Sequence, residues 1–261
     1  MNQTKIDTAV ILAAGMGNRL KPFTNNIPKC MVELNGKPLI AHTVDALESN
    51  GFENLIVVTG YRNDQIESFL IDYPTSMNIK TIYNDVYDET NNIYSLWLVS
   101  EYIQNGFTLI ESDIILESSI LKHFLSPDRI ALDLFSSEKH YGTTATIDEN
   151  LYLEKLYLKA DPPENRDIYK TVNIYSFSQN TWNLLKSEMN RFIEAGEVNG
   201  FYEAAIQRLV EKGDISLQVV SFKDTWWDEI DTPDDLSRVN KSLKWQKHLL
   251  LNKELQPDFS E

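Results

Sequence analysis

Residues Val10 to Lys29 read VILAAGMGNRLKPFTNNIPK, and the rest of the chain is best read outward from them. The apolar run Ala9-Val10-Ile11-Leu12 has the pattern of a buried strand. Ala13-Ala14-Gly15-Met16-Gly17 then removes side-chain bulk where that strand must end. Small residues let backbone N–H groups approach a ligand, and glycine permits the positive φ such a loop needs. Three cations follow, Arg19, Lys21 and Lys29. A strand, a loop of small residues and clustered cations together make a cradle for phosphate.

Two common phosphate loops do not fit. A Walker A loop ends in Gly-Lys-Ser/Thr, which is absent here. The dinucleotide fingerprint needs a third glycine where this chain has Leu20. Taken alone, the two glycines also suit a tight strand-to-helix turn beside solvated lysines. The whole pattern, LAAGxGxRLxP followed by Pro28-Lys29, is more specific. It resembles the N-terminal signature of nucleotidyltransferases that join a nucleoside triphosphate to a phosphorylated small molecule. The resemblance implies that Leu12, Ala13, Ala14, Gly15, Met16 and Gly17 wrap the nucleotide. It also implies that Arg19 and Lys29 neutralise the phosphates as catalytic cations, with Lys21 at a variable surface position.

Bulk properties narrow the partners. A net charge of −15 argues against nucleic acid or an anionic membrane, both of which demand a basic footprint. An acidic protein that binds polyphosphate must concentrate its cations locally or use metal. Cys30 is the single cysteine, which excludes an intramolecular disulfide and suits a reducing, cytoplasmic setting. It reads as a small buried hydrophobe rather than a reactive thiol. The opening MNQTKIDT lacks the apolar core of a signal peptide, and no apolar run reaches the roughly 18 residues of a membrane span. His42, His123, His140 and His248 show no metal-ligand spacing.

Along the chain, apolar runs alternate with helical periodicity. Strands are expected over 31–34, 55–58, 79–83, 107–110, 130–135, 143–147, 151–158, 169–177 and 217–222. Helices are expected over 38–49, 63–71, 93–103, 178–195, 202–212 and 236–253. The alternation marks an α/β fold. With the resemblance, the expectation is a Rossmann-like, GT-A-like mixed sheet, mainly parallel and flanked by helices. Residues 1–240 are read as one nucleotidyltransferase domain and 241–261 as a C-terminal helical extension and tail.

The remaining candidate residues sit at strand ends. Asn84 to Asn92 is a polar loop after a strand, where ligands bind in open α/β sheets. Asn91 or Asn92 also suits a helix N-cap. YND followed by NNIYSL resembles the cytidylyltransferases that act on phosphocholine and related zwitterions, in which this stretch lies along the cleft. Asn84, Asn92 and Ser95 are therefore nucleotide-binding candidates. Asp113 ends the 107–110 strand; the resemblance implies a metal ligand, and a helix cap for Ile114 onward is the alternative. Glu111 departs from the small residue often found at that tip and has no assignment. Lys170 either contacts the acceptor's phosphate or is an exposed strand-end lysine.

Near the end comes WWDEIDTPDDL, Trp226 to Leu236. Thr232-Pro233-Asp234-Asp235 is a helix start, with Thr as N-cap, Pro at the first position and acids in the first turn. The rest matches the family's closing motif, which implies that Asp231 meets Asp113 across Mg²⁺. Acceptor-binding candidates are Lys170, for the phosphate, and Glu203, Tyr94, Trp227 and Glu229, since a cationic head is held by aromatic faces and carboxylates. The resemblance implies Mg²⁺-dependent transfer of CMP from CTP to phosphocholine, 2-aminoethylphosphonate or a similar acceptor as the expected reaction. A sugar-1-phosphate nucleotidyltransferase using UTP, dTTP or GTP is the alternative enzyme. A catalytically silent ligand-sensing domain is the alternative outside enzymes.

Overall fold

A computed structural model describes residues 5–137, 140–158 and 160–242. The helix expected over 236–253 spans Pro233–Lys241 instead, with Ser242 as an extended cap, and residues 243–253 lie outside the described residues.

The chain begins with β1 (Thr8–Ala13), whose last five residues are buried. A short hairpin, β2 (Glu33–Leu34) and β3 (Lys37–Pro38), precedes α1 (Leu39–Ser49). The expected strand at 31–34 is shorter than its apolar run, because Lys29–Met31 form a 3₁₀ turn that buries Cys30. Then come β4 (Asn54–Thr59), α2 (Asn63–Asp72), β5 (Asn78–Tyr83) and α3 (Asn92–Leu98). The helix read to Ile103 tightens into a 3₁₀ turn at Val99–Glu101 instead. Next are β6 (Phe107–Glu111), β7 (Ile114–Leu116), β8 (Arg129–Leu134), β9 (Thr144–Ile147), β10 (Leu153–Tyr157) and β11 (Tyr169–Phe177). The described part closes with α4 (Gln179–Glu194), α5 (Glu203–Glu211), β12 (Gln218–Ser221), β13 (Trp227–Glu229) and α6 (Pro233–Lys241).

Among the described residues, nine strands form one sheet. β5, β4, β1 and β6 run parallel in that order, with β1 between β4 and β6. β11 lies antiparallel to β6, β8 and β9, which makes the sheet mixed. Apolar clusters cover both faces. One packs α3, α4 and α5 around Phe107, Tyr175 and Trp182. The other packs α1 and α2 around Ile11, Val57 and Ile110. Burial on both faces explains why these strands read as continuous apolar runs rather than as alternating ones.

This arrangement places β1, β4 and β6 with their carboxyl ends on one edge of the sheet, the edge where open α/β folds carry their ligands. β7 and β13 form a separate two-stranded pair beside it, and Ile114 lies opposite Glu229. That pairing is long-range and leaves no mark in the local sequence.

Candidate active site

The loop after β1 is held open by contacts at its back. Gly17 has φ of 63°, and a Cβ there would lie 2.9 Å from the Cβ of Lys29. Glycine thus satisfies the left-handed turn and lets the Lys29 stem pack under the loop. Thr24 Oγ1 donates to the Gly17 carbonyl at 2.8 Å. Gly60, at the end of β4, is required for a different reason: a Cβ would sit 2.6 Å from the Ala14 carbonyl. By contrast, a Cβ on Gly15 would meet nothing within 4 Å, so that residue faces open space in the cleft.

Lys29 projects from its 3₁₀ turn to the meeting point of the two best-matching motifs. Its Nζ donates to Asp113 Oδ2 at 2.6 Å and to Asp231 Oδ1 at 2.5 Å. Burial alone would depress its amine, but the two carboxylates outweigh that and hold it above the ordinary lysine range. Arg19 Nη2 reaches the same Asp231 oxygen at 2.8 Å while its side chain stays 63% exposed. The backbone brings the two acids together: the Ile230 N–H donates to the Asp113 carbonyl at 3.0 Å, next to the β7–β13 pair. Ile114 begins a strand, not a helix, so Asp113 is not a cap. Asp231 is fixed from behind by Asp235, whose Oδ2 accepts from the N–H groups of Asp231 and Thr232 at 3.2 and 2.8 Å. Thr232 and Asp235 complete a capping box on α6.

Glu229 joins these acids. One oxygen from each of Asp113, Glu229 and Asp231 lies within 4.8 Å of the others, and the second Asp113 oxygen is buried without a partner among the described residues. Oxygen-only donors at this density suit a hard divalent cation such as Mg²⁺. Burial, with Asp113 and Asp231 beside it, pushes the Glu229 carboxyl up to about 7 against the pull of Lys170 and Lys29. Lys170 is not an exposed strand-end residue: it is 3% exposed, donates to the Thr171 carbonyl at 2.6 Å and lies 3.6 Å from Glu229.

These groups line one cleft of about 650 Å³. Of the expected residues, Leu12, Ala14, Gly15, Gly17, Arg19, Lys29, Asn92, Ser95, Asp113, Lys170, Glu203, Glu229 and Asp231 line it. Asn92 is already engaged, donating to Glu111 at 3.2 Å and accepting from the Tyr202 N–H at 3.1 Å.

Ala13, Met16, Asn84, Tyr94 and Trp227 are not among the lining residues. Asn84 is buried and braces the polar loop, donating to Thr90 and Ser95 and accepting from the Val86 N–H. Tyr94 packs its ring 5.3 Å from that of Trp97. Trp227 donates to Asp133 at 2.7 Å and stacks on His140, lining a small hollow next to Lys170 and Glu229. Several lining residues were not among the site candidates, and three of them bear on the chemistry. Tyr141 contacts Asp231 at 3.3 Å, with the Arg19 guanidinium 5.8 Å from its ring; its loop offers no motif. Glu111 and Asn173 are the others, and Glu111 did stand out as an acid at the tip of a buried strand.

A sequence model described as nucleotidyl transferase matches residues 8–246. The chain belongs to that family. It is similar to the choline-phosphate cytidylyltransferase of Streptococcus pneumoniae, with 36% identity over 118 residues, 45% of this chain and 49% of that one. It is similar to the 2-aminoethylphosphonate cytidylyltransferase of Lancefieldella rimae, with 26% identity over 81% of this chain and 84% of the other. The chain spans about half the length of the first curated relatives it matches. Among solved structures it resembles the CTP:phosphocholine cytidylyltransferase of Streptococcus pneumoniae, with a TM-score of 0.78, 22% identity and coverage of 90% and 99% of the two chains. It also resembles the inositol-1-phosphate CTP transferase of T. maritima, with a TM-score of 0.77, 24% identity and coverage of 94% and 98%. These two likenesses speak for the fold.

Proposed function

We propose that this nucleotidyltransferase transfers CMP from CTP to a small phosphate- or phosphonate-bearing amino-alcohol, such as phosphocholine or 2-aminoethylphosphonate, and releases pyrophosphate. The observation that carries the reading is the single cleft in which the glycine loop, two cations and three clustered carboxylates meet Lys170 and Glu203. The names of the relatives support cytidine as the nucleotide and an aminated acceptor.

An acceptor oxygen attacks the α-phosphorus, the bond to the β-phosphate oxygen breaks, and that oxygen leaves with pyrophosphate. A phosphate monoester is largely doubly ionised near pH 7, with a second pKa of ~6, so no general base is needed. The obstacle is repulsion between anions, and the side chains answer it. Gly15 leaves room for the triphosphate, and Arg19 and Lys29 place positive charge beside it. Lys170, buried in the same cleft, offers charge to the acceptor's phosphate. Asp113, Asp231 and Glu229 would hold Mg²⁺, which when bound offsets charge on both phosphates.

A matrix of donors (CTP, UTP, dTTP, GTP) against acceptors (aminated phosphates and phosphonates, sugar 1-phosphates), read by pyrophosphate release, tests the reading. CTP with an aminated acceptor is expected to give the highest kcat/KM. Preference for a sugar 1-phosphate would establish the other enzyme class. No turnover with any pair would favour a silent ligand-binding domain.

A further inference from the structure

One wall of the cleft presents hydrogen-bond acceptors that the described residues do not satisfy. It is built by the first residue of α5, Glu203, and the last residue of β6, Glu111, and both line the cleft. Glu203 is 5% exposed, yet its Oε2 meets no hydrogen-bond partner among the described residues. Glu111 accepts a bond from Asn92 and faces the Tyr202 hydroxyl. Behind the wall and outside the cleft lining, fully buried Tyr175 turns its ring edge-on to Tyr202, and its hydroxyl also has no partner among the described residues. Lys170 lends positive charge to Glu203, while its amine donates to the Thr171 carbonyl and lies beside Glu229. Buried carboxylate and phenol groups without partners are costly and uncommon in a native fold. Such a wall calls for a ligand group that brings N–H donors and positive charge.

We propose that this wall, through Glu203 and Glu111, binds the primary ammonium of the acceptor and discriminates against a quaternary one. The inference rests on the reading that the acceptor is aminated. A primary ammonium carries three donors and a compact charge, enough to serve the free Glu203 oxygen and Glu111 together. A trimethylammonium has no N–H and is held instead by aromatic faces. The cleft supplies few of those. Its described aromatic lining consists of Tyr87, Tyr141 and Phe201. Tyr141 is taken up by Arg19 and Asp231. Tyr94 packs on Trp97, and Trp227 stacks on His140. Trp226 packs against the apolar cluster around Leu20 and Leu236. A quaternary head would therefore leave the Glu203 oxygen without a donor and find, among the described residues, only the faces of Tyr87 and Phe201 in exchange.

The test is a methylation series on the full chain with CTP and Mg²⁺: phosphoethanolamine, its N-methyl and N,N-dimethyl derivatives, and phosphocholine, with ethyl phosphate as the amine-free control. The expected result is a stepwise fall in kcat/KM with each methyl, reaching at least about tenfold between phosphoethanolamine and phosphocholine. Glu203→Gln is expected to lower kcat/KM for phosphoethanolamine by at least about tenfold and to flatten the series, with KM for CTP within about twofold of the wild type. If phosphocholine matches or exceeds phosphoethanolamine, the inference fails while the aminated-acceptor reading stands. If ethyl phosphate or a sugar 1-phosphate outruns every amine, both fail. An unchanged gradient in folded Glu203→Gln would overturn the role given to that residue. The wild-type series needs no variant and decides the question even if the substitution impairs folding.

Discussion

At Lys29 three requirements coincide: a glycine behind its stem, an Asp from the middle of the chain and an Asp from near its end. Lys21, eight residues earlier, is exposed. Lys29→Ala is therefore expected to lower kcat/KM for CTP by at least about tenfold, ~1.4 kcal/mol of transition-state stabilisation, while Lys21→Ala stays within about twofold. Steady-state kinetics at saturating acceptor would check it, and the reverse order would mean that Lys21 serves the cradle. Glu203 supplies a second prediction at this scale. Burial pushes its carboxyl from 4.5 up to about 7. Between those values the folded chain keeps a proton that the unfolded chain has lost. The Glu203 contribution to stability thus falls as pH rises from about 4.5 to 7 and is constant above. Glu203→Gln is expected to be less penalised at pH 8 than at pH 4.5, by on the order of 3 kcal/mol. Denaturant unfolding of both proteins at the two pH values gives the comparison, and parallel curves would contradict it.

Among the elements, α6 does most to position the site. Its first turn holds Asp231 from behind, since Asp235 accepts from the Asp231 N–H as well as from the cap residue Thr232. The sequence Thr-Pro-Asp-Asp already marks a helix start. What it does not disclose is that the capping carboxylate also grips the backbone of a metal-ligand candidate. Thr232→Ala is expected to cost about 1 kcal/mol of stability through the lost cap. It is also expected to lower turnover more than that loss explains, because Asp231 is left less firmly held. Thr232→Ser, which keeps the hydroxyl, should recover most of both, as measured by denaturant midpoints and kcat. A Thr232→Ala protein with full activity would show that Asp231 needs no such support.

Across the whole molecule, the site joins a loop after β1, the tip of β6 and the residues after β13. A ligand that touches all three cross-links distant parts of the chain and binds the folded state alone. Mg²⁺ with CTP at a hundredfold over its Kd is expected to add about 2.7 kcal/mol. For a chain of this size that is a rise in Tm of roughly 5–10 °C. In Asp113→Asn and Asp231→Asn the Mg²⁺-dependent part of the shift should disappear, together with nearly all turnover. A full Mg²⁺-dependent shift in either variant, seen by scanning calorimetry, would remove that residue from the metal site.

Local sequence determined a good deal by itself. The buried strands, the glycine loop and the α6 start each follow from residue types within a few positions, because backbone conformation and burial on both faces are local demands. The α/β alternation and the nucleotidyltransferase signature were legible for the same reason. Other features depended on tertiary structure. Glu229 belongs with Asp113 and Asp231 because β13 pairs with β7 across more than a hundred residues, and no short-range pattern encodes that register. Trp227 and Tyr94 carried the chemistry of a cation cage, but packing turned them toward His140 and Trp97. Asn84, a ligand candidate by its place after a strand, is consumed by bracing its own loop. Residue type states what a side chain can do; only the packed fold decides which neighbours it has left to do it with.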